Sequence, residues 1–183
     1  MNDKDQIIEI FFKEYDKLKS EQAQRIGFRD NLLYVTLGLF ATIISFSTSN
    51  SANYYALLVI PWVSLILGWT YIVNDEKISA IGKYIRCKLA SKVKEYTGYE
   101  DVGTLFGWEI AHRDDKHRKR RKIQQLIVDE ITFVGSGLIA LLSLWLLVPK
   151  LPLSITLLAL VELLLLIVLG VEMVIYADIQ QGR

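Results

Sequence analysis

Residues 154–177 read SITLLALVELLLLIVLGVEMVIYA, with only two charges, Glu162 and Glu172. A helix needs roughly 18–20 apolar residues to cross the hydrocarbon core of a bilayer, and this stretch exceeds that. A soluble helix of similar length would carry a polar face at a 3.6-residue period, which residues 155–175 lack. Residues 32–48, 54–73 and 131–148 have the same character. The first and third of these are near the short end of the spanning range, and 32–48 interrupts its apolar run only with Thr, Ser and Gly. The expected fold class is all-α: an integral membrane protein with four transmembrane helices as two helical hairpins and a helical cytoplasmic layer.

The connectors 49–53 and 149–153 are short enough to make each pair of spans antiparallel neighbours. Pro149 and Pro152 suit the second turn, because proline cannot continue a helix through its interior. Cations fix the orientation. Residues 1–31 hold six Lys and Arg and residues 74–126 hold thirteen, whereas the two connectors hold only Lys150. The positive-inside rule then places both termini and the central region in the cytoplasm of a multi-pass protein of the inner (plasma) membrane. The expected organisation is a cytoplasmic amphipathic helix (1–31), a first hairpin (32–73), a cytoplasmic helical region (74–126), a second hairpin (127–177) and a short cytoplasmic tail (178–183). The charged, long segment ahead of residue 32 does not resemble a signal peptide. A weak parallel repeat at an offset of 99 aligns Asp30, Tyr34, Gly38 and Ala41 with Asp129, Phe133, Gly137 and Ala140.

The remaining composition mostly excludes. At 52% hydrophobic the chain is too apolar for intrinsic disorder. One cysteine, Cys87, excludes an internal disulfide framework and a zinc site with several thiolates. A net charge of +1 points to no partner. No nucleophile elbow, phosphate-binding loop or dinucleotide fingerprint occurs, so no enzyme activity and no cofactor are expected. His112, Asp114, Asp115 and His117 make a poor metal site, because the histidines are five apart and the neighbours are cationic.

Residues 3–29 form an amphipathic pattern through Ile7, Ile8, Phe11, Phe12, Tyr15 and Leu18, a face that needs a partner: the central region, another subunit or the membrane surface, with packing against protein the default. Residues 74–99 offer Ile78, Ile81, Tyr84, Ile85, Leu89 and Val93. The three glycines in 98–107 predict a loop, and 108–125 a basic helix leading into the third span.

Intramembrane carboxylates are costly and face protein or water, so Glu162 and Glu172 are the first candidates for pore or intramembrane function. In a symmetric oligomer Glu162 would form a cation-attracting ring. In a structural role it would bond a hydroxyl such as Ser143 or Thr156. At 100° per residue the two carboxylates sit about 80° apart and need not share one wall. Gly38, Ala41 and Ser45 in the first span and Gly137, Ala140 and Ser143 in the third serve helix packing or pore lining. Arg113, Lys116, Arg118, Lys119, Arg120, Arg121 and Lys122 form the densest basic cluster, suited to lipid headgroups or another anionic ligand. A small transporter would need broken spans around a midplane site, for which Pro61 and Gly68 are the only hints.

The plan as a whole, with the segments EQAQRIGFRD (21–30) and WEIAHR (108–113), resembles small bacterial four-span membrane proteins. Among these are effectors of anti-phage defence of the Hailong type and SLATT-domain proteins. The resemblance implies a homo-oligomeric channel or pore controlled by a nucleotide or oligonucleotide signal, with membrane lipid as its surroundings. It lies in topology and carries over no functional residue. The competing expectation is a membrane-anchored binding or scaffold protein that recruits a cytoplasmic protein partner.

Overall fold

The computed structural model describes residues 3–98, 106–107 and 117–177, and for residues 3, 4, 51 and 52 only the backbone. Among them every regular element is a helix. Helix α1 runs unbroken over Asp3–Ser49, followed by a 3-10 segment at Ser51–Leu58, α2 at Val59–Tyr84, a π-helical turn at Ile85–Leu89 and α3 at Ala90–Thr97. Then come α4 at Arg118–Asp129, a second π-helical segment at Glu130–Gly135, α5 at Ser136–Leu147 and α6 at Leu153–Tyr176. Four continuous helical stretches are long and apolar enough to cross a membrane: Asp5–Ser49, Asn53–Thr97, Arg118–Leu147 and Leu153–Tyr176.

Local chemistry explains the joints. Asn53 donates its side-chain amide to the Phe46 carbonyl at 3.3 Å and to Ser49 Oγ at 3.2 Å, so the first connector is pinned by one residue. The chain then winds as a 3-10 helix where the spacing predicts span two to begin. Pro61, the third residue of α2, has no N–H to give the Leu57 carbonyl, so no regular α-helical bond forms across that point. At the second connector Val148 is extended (φ −118°, ψ 91°), as a residue before proline prefers. Pro152 sits just ahead of α6, and its carbonyl accepts from the Thr156 N–H at 3.0 Å. Helix α3 ends at Gly98 in the left-handed region (φ 68°), where the absent Cβ makes that conformation cheap.

The chain divides into two compact units, one within Met1–Phe28 and Asn74–Lys119, the other within Arg29–Val73 and Arg120–Arg183. In the first, Ile85, Leu89, Ala90, Val93 and Phe106 form the core, and Phe11, Tyr15 and Leu18 of α1 pack on it. Phe11 meets Tyr96 edge-on with centroids 5.6 Å apart, and Tyr15 meets Phe106 at 4.9 Å. Part of the amphipathic face of 3–29 is therefore covered by the central region of the same chain, while Phe12 stays exposed. Tyr84 donates its hydroxyl to Glu14 at 2.7 Å, Gln22 donates to the Ile78 carbonyl at 3.2 Å, and Arg25 reaches Asn74 at 3.3 Å. The carboxylate of Glu14 holds the Tyr84 proton and raises that phenol above its ordinary range.

In the second unit Phe133, Leu141, Leu144, Ala159, Leu166 and Leu169 are among the most deeply buried residues. Helix α1 enters this core through one stripe: Leu32, Thr36, Phe40 and Ser47 are buried, and Ile43 packs beside them. Close approach is achieved by glycine. A Cβ on Gly137 would lie 2.7 Å from Leu166 Cδ1, and one on Gly68 would lie 2.9 Å from Leu169 Cδ2 and 3.2 Å from Phe133 Cβ. Gly68 is thus a packing residue inside a continuous α2, and Pro61 lies in its first turn. Both lie within the continuous helical stretch Asn53–Thr97.

Candidate functional site

Glu162 lies on the buried stripe of α6, formed with Ala159, Leu166, Leu169, Gly170 and Met173. Its exposure is 0%, and neither carboxyl oxygen has a hydrogen-bond partner. The indole of Trp62 on α2 approaches the carboxyl without completing a hydrogen bond of proper geometry. The hydroxyl bond expected from Ser143 or Thr156 is not made. Thr156 instead donates to the Pro152 carbonyl at 3.2 Å, and Ser143 lines a separate cavity. Glu172 is half-buried and stands off the stripe. Ten residues of helix separate it from Glu162 by about 15 Å along the axis, so the two carboxylates form no pair.

The small residues of the two hairpins behave differently. Gly137 and Ala140 are buried against the chain's own helices, and Ser143 is half-buried. Gly38, Ala41 and Ser45 are exposed, and nothing lies within 4 Å of a Cβ built on Gly38. At 100° per residue these three lie about 180° from the buried stripe of α1. Thr42 and Thr48 flank them, also exposed, each returning its hydroxyl to a backbone carbonyl one turn back at 2.9 Å. Large exposed side chains border the strip on both sides: Leu37 and Ile44 on one, Val35, Leu39 and Phe46 on the other.

A cavity of about 380 Å³ opens between α1, the 3-10 segment, α2 and α5. Phe40, Ile44, Tyr54, Ile139, Ser143 and Leu147 contribute to its lining. Near the Arg29 end of the spans, Gln125 donates to the Tyr71 hydroxyl at 2.9 Å, and Asp129 faces the same group. The Arg29 guanidinium lies 5.8 Å from the Tyr71 ring centre and pairs with Asp30 at 3.0 Å. Tyr71 of α2 thus meets residues of α1 and α4, a role that periodicity gave no reason to assign to it. Glu130 opens the second π segment and places Oε2 3.2 Å from where a Cβ of Gly170 would lie, so that glycine makes room for a carboxyl.

Of the basic cluster, Arg118, Lys119, Arg120, Arg121 and Lys122 lie on α4, and Arg113 and Lys116 fall outside the described residues, as do Trp108, His112, Asp114, Asp115 and the tail 178–183. Five consecutive helical residues point all round the axis, so these cations do not form one fork. Arg118, Arg121 and Lys122 already engage other groups, and Lys119 and Arg120 are exposed. Among the described residues no three side chains gather to hold a metal, and Cys87 is exposed with a free thiol.

No family model, curated protein or solved structure matches the chain.

Proposed function

We propose that the protein is a homo-oligomeric channel or pore-forming effector without enzymatic activity, embedded in the bacterial inner membrane by its four apolar helices. Both termini and the first unit face the cytoplasm in this reading, because twenty of the 21 Lys and Arg lie outside the two connectors. The observation that carries it is the strip Gly38, Ala41, Ser45 on α1, exposed and opposite the side that α1 buries. Lipid tails gain nothing from small or hydroxylated side chains, whereas helices pack closely through them and water-filled pores are lined by them. Copies of the chain meeting through this strip would surround a common axis with Thr42, Ser45 and Thr48. The cytoplasmic unit, whose core α1 shares, would receive the gating signal, and the resemblance to anti-phage effectors makes a nucleotide or oligonucleotide the first signal to try.

The burial of Glu162 inside its own chain favours the α1 strip over a ring of Glu162 carboxylates as the pore wall. The test is ion flux from liposomes containing the purified chain, with Ser45→Leu as the variant. The reading expects assembly or flux to fall at least tenfold in that variant. Impermeable liposomes with every candidate signal, or unchanged flux in Ser45→Leu, would sink it. Ile10 at 61% exposure and Phe12 at 47% leave an uncovered apolar surface on the first unit and favour the second reading, a scaffold for a cytoplasmic protein. Stoichiometric capture of one partner, lost in Phe12→Ser, would select it.

A further inference from the structure

Glu162 raises a question of charge that the channel reading does not use. A buried carboxylate survives when a cation or several hydrogen-bond donors compensate it. Residues 32–73, 127–149 and 151–177 contain no Lys, Arg or His, so none of the four spans offers a cation. The elements packed against α6 offer none either. Helix α5 has no titratable side chain, and the π segment Glu130–Gly135 brings only another carboxyl, Glu130. On α6 itself the other titratable groups are Glu172 and Tyr176. The span of α2 adds the Trp62 indole, which does not complete a bond, and Tyr71. Both oxygens of Glu162 are thus buried with no completed hydrogen bond and with no cation on the spans around them.

We propose that Glu162 is a proton-binding site: the carboxyl holds a proton as its ligand, and this proton replaces the counter-charge that the chain does not supply. Departure of the proton leaves a bare charge on the buried stripe of α6, which only water or a separation of α6 from its neighbours can solvate. Proton release and loosening of the α6 packing are therefore coupled. The inference rests on burial within one chain and stands whether or not the protein conducts.

The test uses the full chain in lipid nanodiscs. Infrared difference spectra between the wild type and Glu162→Gln should show, at neutral pH, the loss of one protonated-carboxyl C=O stretch. Dicyclohexylcarbodiimide reports the same proton on the wild type alone, and so covers a variant that fails to fold. The carboxyl O–H adds across a C=N bond of the reagent, proton to nitrogen and oxygen to carbon. The acyl group then migrates to nitrogen and nothing leaves. Mass spectrometry should place the adduct on Glu162. Band and adduct should both decline as pH rises and be unchanged by sodium chloride at fixed pH. A wild type lacking the band at neutral pH overturns the proposal. An adduct only on Glu130 or Glu172 does so too, and sodium abolishing the signal would assign the site to a metal cation instead.

Discussion

Replacing Gly137 by Ala tests the packing of the second unit most directly. The new methyl carbon would lie 2.7 Å from Leu166 Cδ1, 2.9 Å from Cδ2 and 3.4 Å from Cγ. Leu166 is 0% exposed, so its branched end has no free space to turn into. Overpacking of this kind costs about 1–3 kcal/mol. Against it stands the gain of Ala over Gly in a helix, roughly 0.8–1 kcal/mol. Gly27→Ala supplies the control, since it lies on α1 outside the small-residue strip, its Cβ meets nothing within 4 Å and it collects the propensity gain alone. The two variants should therefore differ by about 1–3 kcal/mol, with the propensity contribution cancelled. Reversible unfolding in mixed detergent micelles measures both. Leu166→Ala alone should cost about 2–5 kcal/mol, and the double variant Gly137→Ala/Leu166→Ala should cost less than the sum, because the clash is gone. Equal stabilities for Gly137→Ala and Gly27→Ala, or strict additivity in the double variant, would refute the packing described for α5 against α6.

Gly68→Ala should destabilise by about 1–3 kcal/mol in the same assay, since its Cβ would face Leu169 and the Cβ of Phe133, which cannot swing away. Gly170→Ala should be milder, because the nearest atom is a carboxyl oxygen of Glu130 at the end of a flexible side chain; a larger loss there than at Gly68 would contradict the contact geometry. Tyr84→Phe removes the 2.7 Å bond to Glu14 and should cost about 0.5–1.5 kcal/mol, toward the low end because solvent reaches the pair. The folded phenol is raised by Glu14, so its contribution is complete below the ordinary phenol range near ~10 and fades as pH climbs through the raised folded value. Thermal unfolding curves of wild type and Tyr84→Phe should accordingly converge at strongly alkaline pH, and a constant gap would count against the bond.

The helices were legible because hydrophobic runs this long have few folded solutions. The two apolar faces of the first unit were also legible, Phe11, Tyr15 and Leu18 on one and Ile81, Ile85, Leu89 and Val93 on the other, but periodicity left open whether they meet each other, another subunit or the membrane surface. What stayed hidden depends on which helix meets which. Gly38 and Gly137 look alike in sequence and align at one offset, yet one is open and the other touches Leu166. Nothing local to either residue distinguishes them. Gly68 and Gly170 were hidden for the same reason. The 3-10 segment at Ser51–Leu58 and the two π-helical turns depart from the 3.6-residue period that the hydrophobic pattern encodes. Tyr71 lies within an apolar run, and nothing in that run marks it as the residue on which Gln125, Asp129 and Arg29 converge.

The uncovered strip of α1 has two physical properties that the channel reading combines, and they can be separated. Thr42 and Thr48 return their hydroxyls to α1's own carbonyls, so polarity alone does not force the strip out of lipid. Small volume is the stronger constraint: Gly38, Ala41 and Ser45 form a trough between Leu37 and Ile44 on one side and Val35, Leu39 and Phe46 on the other. A trough one side chain wide fits another helix, and small side chains let the two backbones come close. Ser45→Ala keeps the volume and removes the hydroxyl, whereas Ser45→Leu fills the trough. If the strip is a packing face, only Leu disrupts the oligomer seen by single-particle imaging, and Ala leaves assembly and flux intact. If it lines water, Ala leaves assembly intact and lowers flux. Assembly that tolerates Leu refutes the packing role, and the weight then moves to the scaffold reading.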